Sequence, residues 1–262
     1  MKILSSCHTH TSYVDGKSSA RAQVERALEL GFVSLGFSEH AQEAYCGLTP
    51  ENNVRYIDEI TALKREYAGR IKLWLGIERD RISTDPNTCY DYVLAANHYV
   101  NTRAVDGKPD ELEAYAGGAW DEVIARYFDE YAAYVDEIKP DIIAHFDLIC
   151  KYNRTRHWFS ESEGAFIRCG KAALERMIKS CDVLEVNTGG TARSNQPCPY
   201  PVMPLLKYWH DLGGRVIPGS DCHSCLQLDA WYDKLPAYLR EAGYSHILMP
   251  GVGDKLFDEY AL

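Results

Sequence analysis

The 262-residue chain has no apolar run approaching the roughly 18 residues of a membrane-spanning helix, and no cluster of Lys and Arg. Its formal net charge is −10. Nucleic acid and anionic membranes need a basic footprint, so neither is expected as a partner. A small anionic substrate stays compatible, because bound divalent cations reverse the sign locally. No signal peptide is read at the start, where the apolar stretch after Lys2 is too short. A dense cysteine framework is missing too. The nine cysteines are scattered, which fits reduced thiols in a cytoplasmic enzyme better than a disulfide scaffold. Cys222 and Cys225 form a C-x-x-C without the second pair of a zinc ribbon. There is no repeat, low-complexity stretch or Pro/Ser-rich linker, so residues 1–262 read as one domain.

What the chain does have is a regular alternation. Short apolar runs at 2–8, 32–40, 71–78, 92–98, 141–145, 182–187 and 215–221, with a weaker eighth at 246–250, are separated by helical patterns. Val24, Ala27, Leu28 and Leu30 recur at helical spacing, and Thr49-Pro50 reads as a cap and first helical residue ahead of 51–68. The stripe Val123, Tyr127, Tyr131, Tyr134, Val135 and Ile138 reads as a core face of a helix over 119–138. Ser160-x-x-Glu163 has the form of a capping box opening 163–180. Strands alternating with helices imply a parallel sheet, and seven or eight such units in one domain imply a β/α barrel. Residues 101–118, rich in Gly and Asp, read as a long irregular insertion and a candidate substrate loop.

The chemistry collects where the runs end. His8 and His10 close the first, His40 the second, Glu78 the third, His98 the fourth, His145 the fifth, and Asp221 with His223 the seventh. In a barrel these ends share one mouth. Residues i and i+2 of a strand share a face, so His8 and His10 point together, while Cys7 and Cys222 point away and read as packing residues. With Asp15 on the first loop, six histidines and three carboxylates converge, more ligands than one four- to six-coordinate ion needs. Two or three divalent transition-metal ions (Zn, Mn or Fe) sharing Glu78 as a bridge are therefore expected. His157, His210 and His246 fall in loops or helical pattern and read as surface or core residues.

The ordered motifs His8-x-His10, Asp15, "SEH" at 38–40, "GIE" at 76–78, "NH" at 97–98, "AH" at 144–145 and "SDCH" at 220–223 resemble those of the PHP (polymerase and histidinol phosphatase) superfamily. The resemblance implies a distorted (β/α)7 TIM-like barrel with a trinuclear metal cleft at the C-terminal ends of the strands. Carried over by position, it implies His8, His10, Glu78 and Asp221 at one ion, Glu78, His98 and His145 at a second, and Asp15, His40 and His223 at a third. Some members have histidine where this chain has Asp15.

Within that superfamily, "EVNTGGTARSNQPCPYP" at 185–201 resembles the histidinol-phosphatase branch. Arg193 then becomes the candidate phosphate clamp, because a guanidinium engages two phosphate oxygens at once. Arg154, Arg156 and Lys17 are further substrate-binding candidates. The activity this implies is hydrolysis of L-histidinol phosphate by metal-activated hydroxide, with Glu78, Asp221 and His223 as catalytic residues. The alternative is another small phosphate ester, a sugar phosphate or nucleotide. A polymerase-associated exonuclease is opposed by the acidic balance. An amidohydrolase is opposed by a carboxylate where that class usually carries a bridging lysine.

Overall fold

The computed structural model describes residues 2–42, 47–83, 89–194 and 196–262. Six parallel strands form one curled sheet. In sheet order they are β1 (Ser34–His40), β2 (Lys72–Asp80), β3 (Tyr92–Ala96), β6 (Ile142–Ile143), β7 (Val183–Asn187) and β8 (Arg215–Gly219). The first predicted run is the seventh member of the wall, although only Thr9, bridged to Cys222, is ladder-paired. Toward β1 its carbonyls at Leu4, Ser6 and Thr9 accept from Val33, Gly36 and Ser38. On the other side Cys7 N–H donates to Pro218 O, and Asp221 N–H donates to His8 O. The segment lies between the two edge strands and closes the sheet, as a seven-stranded barrel requires.

The helices form where capping and periodicity place them. Ser19 accepts from Ala22 N–H at the start of α1 (Ala20–Leu30), and Gly31 ends it at φ 77°. Thr49 caps α2 (Pro50–Glu66), with proline at the first helical position. Chain order continues with β4 (Tyr99–Val100), β5 (Arg103–Ala104), α3 (Pro109–Ala116), α4 (Trp120–Ile138), α5 (Asn153–Arg156), α6 (Gly164–Met177), α7 (Gly189–Arg193), α8 (Met203–Asp211) and α9 (Leu235–Glu241). A hairpin, β9 (His246–Pro250) and β10 (Phe257–Ala261), ends the chain. No described helix is long and apolar enough to cross a membrane.

The aromatic stripe of α4 is core, and its hydroxyls do structural work. Tyr131 OH lies 2.6 and 2.7 Å from the carbonyl oxygens of Ala95 and Ala144, beside the two-residue β6 where the ladder runs out. Tyr92 fills the barrel interior, its hydroxyl 2.6 Å from Cys7 O and 3.0 Å from Phe37 O. Gly36 and Gly76 make room for it, since a Cβ at either would overlap the Tyr92 side chain.

Three expectations are corrected. The eighth run is a strand, but β9 pairs antiparallel with β10 and stays outside the barrel ladder. The Ser160-x-x-Glu163 box does not form: Gly164 turns the chain at φ 69°, the helix starts there, and Ser160 Oγ meets Ser162 Oγ instead. Residues 101–118 are not irregular. Their polar residues are punctuation: Asn101, at φ 54°, turns the β4–β5 hairpin, Pro109 starts α3 and Gly117 ends it.

Candidate metal centre

The parallel strands deliver their C-terminal ends to one mouth, and the nine expected ligand residues meet there. Four overlapping groups have ligand atoms mutually within 4.8 Å: His10, Asp15, His40 and His223; His8, His10 and Glu78; His8, His145 and Asp221; and His40, Glu78 and His98. Together they contain every residue of the predicted set. The overlap crosses the boundaries of the three inherited ligand sets, since His10 joins Asp15, His40 and His223.

Glu78 is the hub. Its Oε1 lies 2.7 Å from His145 Nε2 and 3.6 Å from His98 Nε2. Its Oε2 lies 2.9 Å from His40 Nδ1, 3.3 Å from His8 Nε2 and 3.4 Å from His10 Nε2. Despite these neighbours, Oε2 is buried and makes no hydrogen bond among the described residues, as is true of His10 Nδ1. A buried carboxylate oxygen ringed by imidazoles without hydrogen-bond geometry is costly by itself and suits a shared cation. His8 Nε2 and His10 Nε2 face each other at 3.1 Å, both aimed at the same space. A mixed set of imidazole nitrogens and carboxylate oxygens fits Zn, Mn or Fe.

The electrostatics follow from this crowding. Burial works against a charged His8, but Glu185, Glu78 and Asp221 outweigh it and hold its pKa well above the usual imidazole range. Burial would raise the Glu78 pKa, yet His40, His8 and His98 hold it well below the ordinary carboxylate value. Asp221 is depressed likewise, against burial, by Arg193 and His8. His223 is lowered by burial and by His10.

Asp221 sits at φ 46°, a strained conformation for a non-glycine residue and one often found at functional sites. Arg193 holds it there: Nη2 donates to Asp221 Oδ2 at 2.8 Å, and Nη1 donates to the Asp221 carbonyl. Arg193 lines the cleft, a cavity of about 90 Å³. Two of the other basic candidates are paired elsewhere. Arg154 pairs with Glu161 and donates to Cys198 Sγ, and Arg156 pairs with Asp110 and Glu113 at the surface. Lys17 is exposed on the Asp15 loop, where its backbone N–H donates to His223 O. In the 185–201 motif, Asn195 lies outside the described residues.

Other readings hold. Cys7 and Cys222 are buried off the ligand face, and the eight described cysteines are all free, Cys222 and Cys225 included. His157 ends α5, His210 packs on Tyr244, and His246 is exposed.

A supporting layer escaped the sequence reading. Glu185 Oε1 lies 2.7 Å from His8 Nδ1, and its Oε2 accepts from His145 N–H at 2.8 Å. Asp80 Oδ2 lies 2.9 Å from His98 Nδ1. Glu39 accepts from Thr11 N–H at 2.6 Å and fixes the turn after His10. Carboxylates behind ligating histidines orient them and set the tautomer. The signal for Glu185 was strand alternation, which puts it on the inward face with Asn187.

A model of the PHP domain matches residues 6–188. The chain belongs to the PHP domain family. Over 95% of its length it is 24% identical to a Schizosaccharomyces pombe protein named "Probable histidinol-phosphatase", of which the match covers 89%. A Deinococcus radiodurans protein of the same name is 26% identical over 85% of this chain and 87% of its own. Among solved structures, a histidinol phosphate phosphatase from Lactococcus lactis, crystallised with Zn, L-histidinol and phosphate, superposes with a TM-score of 0.67. That alignment covers 94% of this chain and 95% of the other at 20% identity. The PHP fold is thus shared across almost the whole chain.

Proposed function

We propose that this PHP protein is a metal-dependent phosphomonoesterase that hydrolyses L-histidinol phosphate to L-histidinol and phosphate, with residues 1–262 acting as one catalytic unit. The observation that carries the reading is Glu78, a buried carboxylate with a hydrogen-bond-free oxygen among five imidazoles, in a cleft that Arg193 also lines. The relatives named for this activity, and the fold neighbour crystallised with Zn, L-histidinol and phosphate, support the substrate.

Two or three divalent ions would be held by His8, His10, Glu78 and Asp221, by Glu78, His98 and His145, and by Asp15, His40 and His223. Bound there, they supply an activated nucleophile and neutralise the charge that builds on phosphate oxygens. Arg193 offers two N–H donors to phosphate once it turns from Asp221. Asp221 and His223, with side chains only 10% and 17% exposed, would pass a proton toward a leaving alkoxide. No serine or cysteine nucleophile is needed.

The test is release of inorganic phosphate from L-histidinol phosphate by metal-stripped protein before and after addition of Zn, Mn or Fe, beside sugar phosphates and nucleotides. Metal-restored turnover preferring L-histidinol phosphate is expected. Preference for another ester would replace the substrate, and turnover indifferent to metal would overturn the mechanism.

A further inference from the structure

Beyond the nine ligand residues, two carboxylates line the cleft, Asp80 and Asp106. Asp80 is occupied, since its Oδ2 lies 2.9 Å from both the backbone nitrogen and Nδ1 of His98. Asp106 is engaged only by a long ion pair with Lys151, and it belongs to none of the ligand groups among the described residues. It sits between β5 and α3, in the segment that sequence analysis marked as a substrate loop. Its main chain is pinned: the Asp106 carbonyl accepts from Lys151 Nζ at 3.2 Å and from Tyr152 OH at 2.8 Å. Tyr152 OH also lies 2.8 Å from the Gly107 carbonyl. The side chain is held loosely by comparison. Oδ2 is 3.5 Å from Lys151 Nζ, and Oδ1 has no hydrogen bond among the described residues. A fixed backbone therefore presents a partly open carboxylate to a cleft whose phosphate end belongs to the ligand set and Arg193.

We propose that Asp106 recognises the ammonium group of the substrate and makes the enzyme selective for phosphate esters of amino alcohols. The inference rests on the reading of the substrate as L-histidinol phosphate, which carries a primary ammonium on the carbon next to the phosphorylated CH₂. A cleft built around phosphate binds any small ester. Discrimination needs a group that rewards the amine, and a carboxylate does so through a charge-assisted hydrogen bond.

The experiment compares metal-loaded wild type and Asp106→Asn on two esters, L-histidinol phosphate and its desamino analogue, 3-(imidazol-4-yl)propyl phosphate. Wild type is expected to favour the amino ester about 10- to 100-fold in kcat/KM, and Asp106→Asn to bring that ratio within about 3-fold, mainly through KM. Asp106→Glu should recover part of the ratio, and metal content by elemental analysis should stay at the wild-type level. A ratio unchanged in Asp106→Asn, or a parallel loss on both esters, would overturn the proposal and leave Asp106 a structural residue. Wild type that ignores both esters but cleaves other phosphates would sink the substrate reading alone. O-Phosphoethanolamine against ethyl phosphate then decides on Asp106 by the same ratio.

Discussion

Glu185→Gln probes the layer behind the ligands, because the replacement keeps the shape and removes only the charge. Glu185 accepts on both sides: Oε1 lies 2.7 Å from His8 Nδ1, while Oε2 accepts from His145 N–H at 2.8 Å and Asn187 Nδ2 at 3.0 Å. A glutamine cannot serve both. With its amide nitrogen toward His145 and Asn187, donor faces donor. With the amide nitrogen toward His8, Nδ1 must become an acceptor, and the imidazole proton moves to Nε2, the atom aimed at the metal space. Loss of such an orienting partner costs about 10- to 100-fold in metal affinity, or about 1.4–2.7 kcal/mol. The first arrangement adds the penalty of an unpaired buried donor, about 1–3 kcal/mol of fold stability. Chelator competition on reloaded protein measures the affinity, and thermal unfolding in EDTA measures the stability. Gly219→Ala should reproduce the lesion sterically, since a Cβ there would overlap Glu185 Oε1. Metal affinity within about 2-fold of wild type in Glu185→Gln would refute the claim that this carboxylate sets His8.

Glu78→Gln should remove the bridge, so that elemental analysis falls from two or three ions per chain to one or fewer and turnover disappears; near-normal activity would reassign the bridge. Arg193→Ala should lower kcat/KM for phosphate esters by roughly 30- to 1,000-fold and weaken inhibition by inorganic phosphate in parallel. Because Arg193 also holds Asp221, metal content separates its roles: near-normal occupancy keeps it a clamp, whereas lost metal with intact phosphate inhibition would make it a support for Asp221. The pH response of metal-stripped protein follows from the signs of the shifts. His8, His10 and His98 are raised on folding, so their contribution is complete below the unfolded value near 6.5 and is lost as pH rises through the folded values. Glu78 and Asp221 are depressed, so theirs is present above the unfolded carboxylate range and is lost as pH falls. Thermal unfolding in EDTA should therefore peak in mildly acid solution and decline toward pH 9, while the increment from added metal grows with pH. A midpoint in EDTA that rises from pH 6 to 9 would contradict this.

The barrel and the cluster of candidate ligands at its mouth were legible because both are written in local pattern. Six of the first seven apolar runs end in a candidate ligand, and parallel strands bring those ends to a common mouth, so convergence needed no long-range information. The misses came from features that local pattern cannot price. Ser160-x-x-Glu163 has a capping box's spelling, but the φ of Gly164 decides where the helix begins, and that angle depends on packing. The 101–118 segment looked structureless because its Gly and Asp were read as loop composition. In the fold the segment is a hairpin turned at Asn101 and a helix running from Pro109 to the Gly117 cap, with Asp106 between them on the cleft wall.

The layer behind the ligands was hidden for a different reason. A ligand histidine at a strand end is conspicuous, whereas a carboxylate inside a strand looks like any polar residue that alternation sends to one face. Glu185 stands two residues before Asn187 on β7, with nothing local to say that its inward neighbour is His8, 177 residues away. Only the register of the closed sheet makes that contact, since the N-terminal segment lies against β8, which is paired with β7. Closure of the barrel by residues 2–11 is therefore part of the chemistry. The segment that seals the wall carries His8 and His10, and the same pairing puts His8 against Glu185. A substitution that loosened the N-terminal segment without touching a ligand, such as Gly36→Ala against Tyr92 and the Cys7 backbone, would reach the metal centre through this wall.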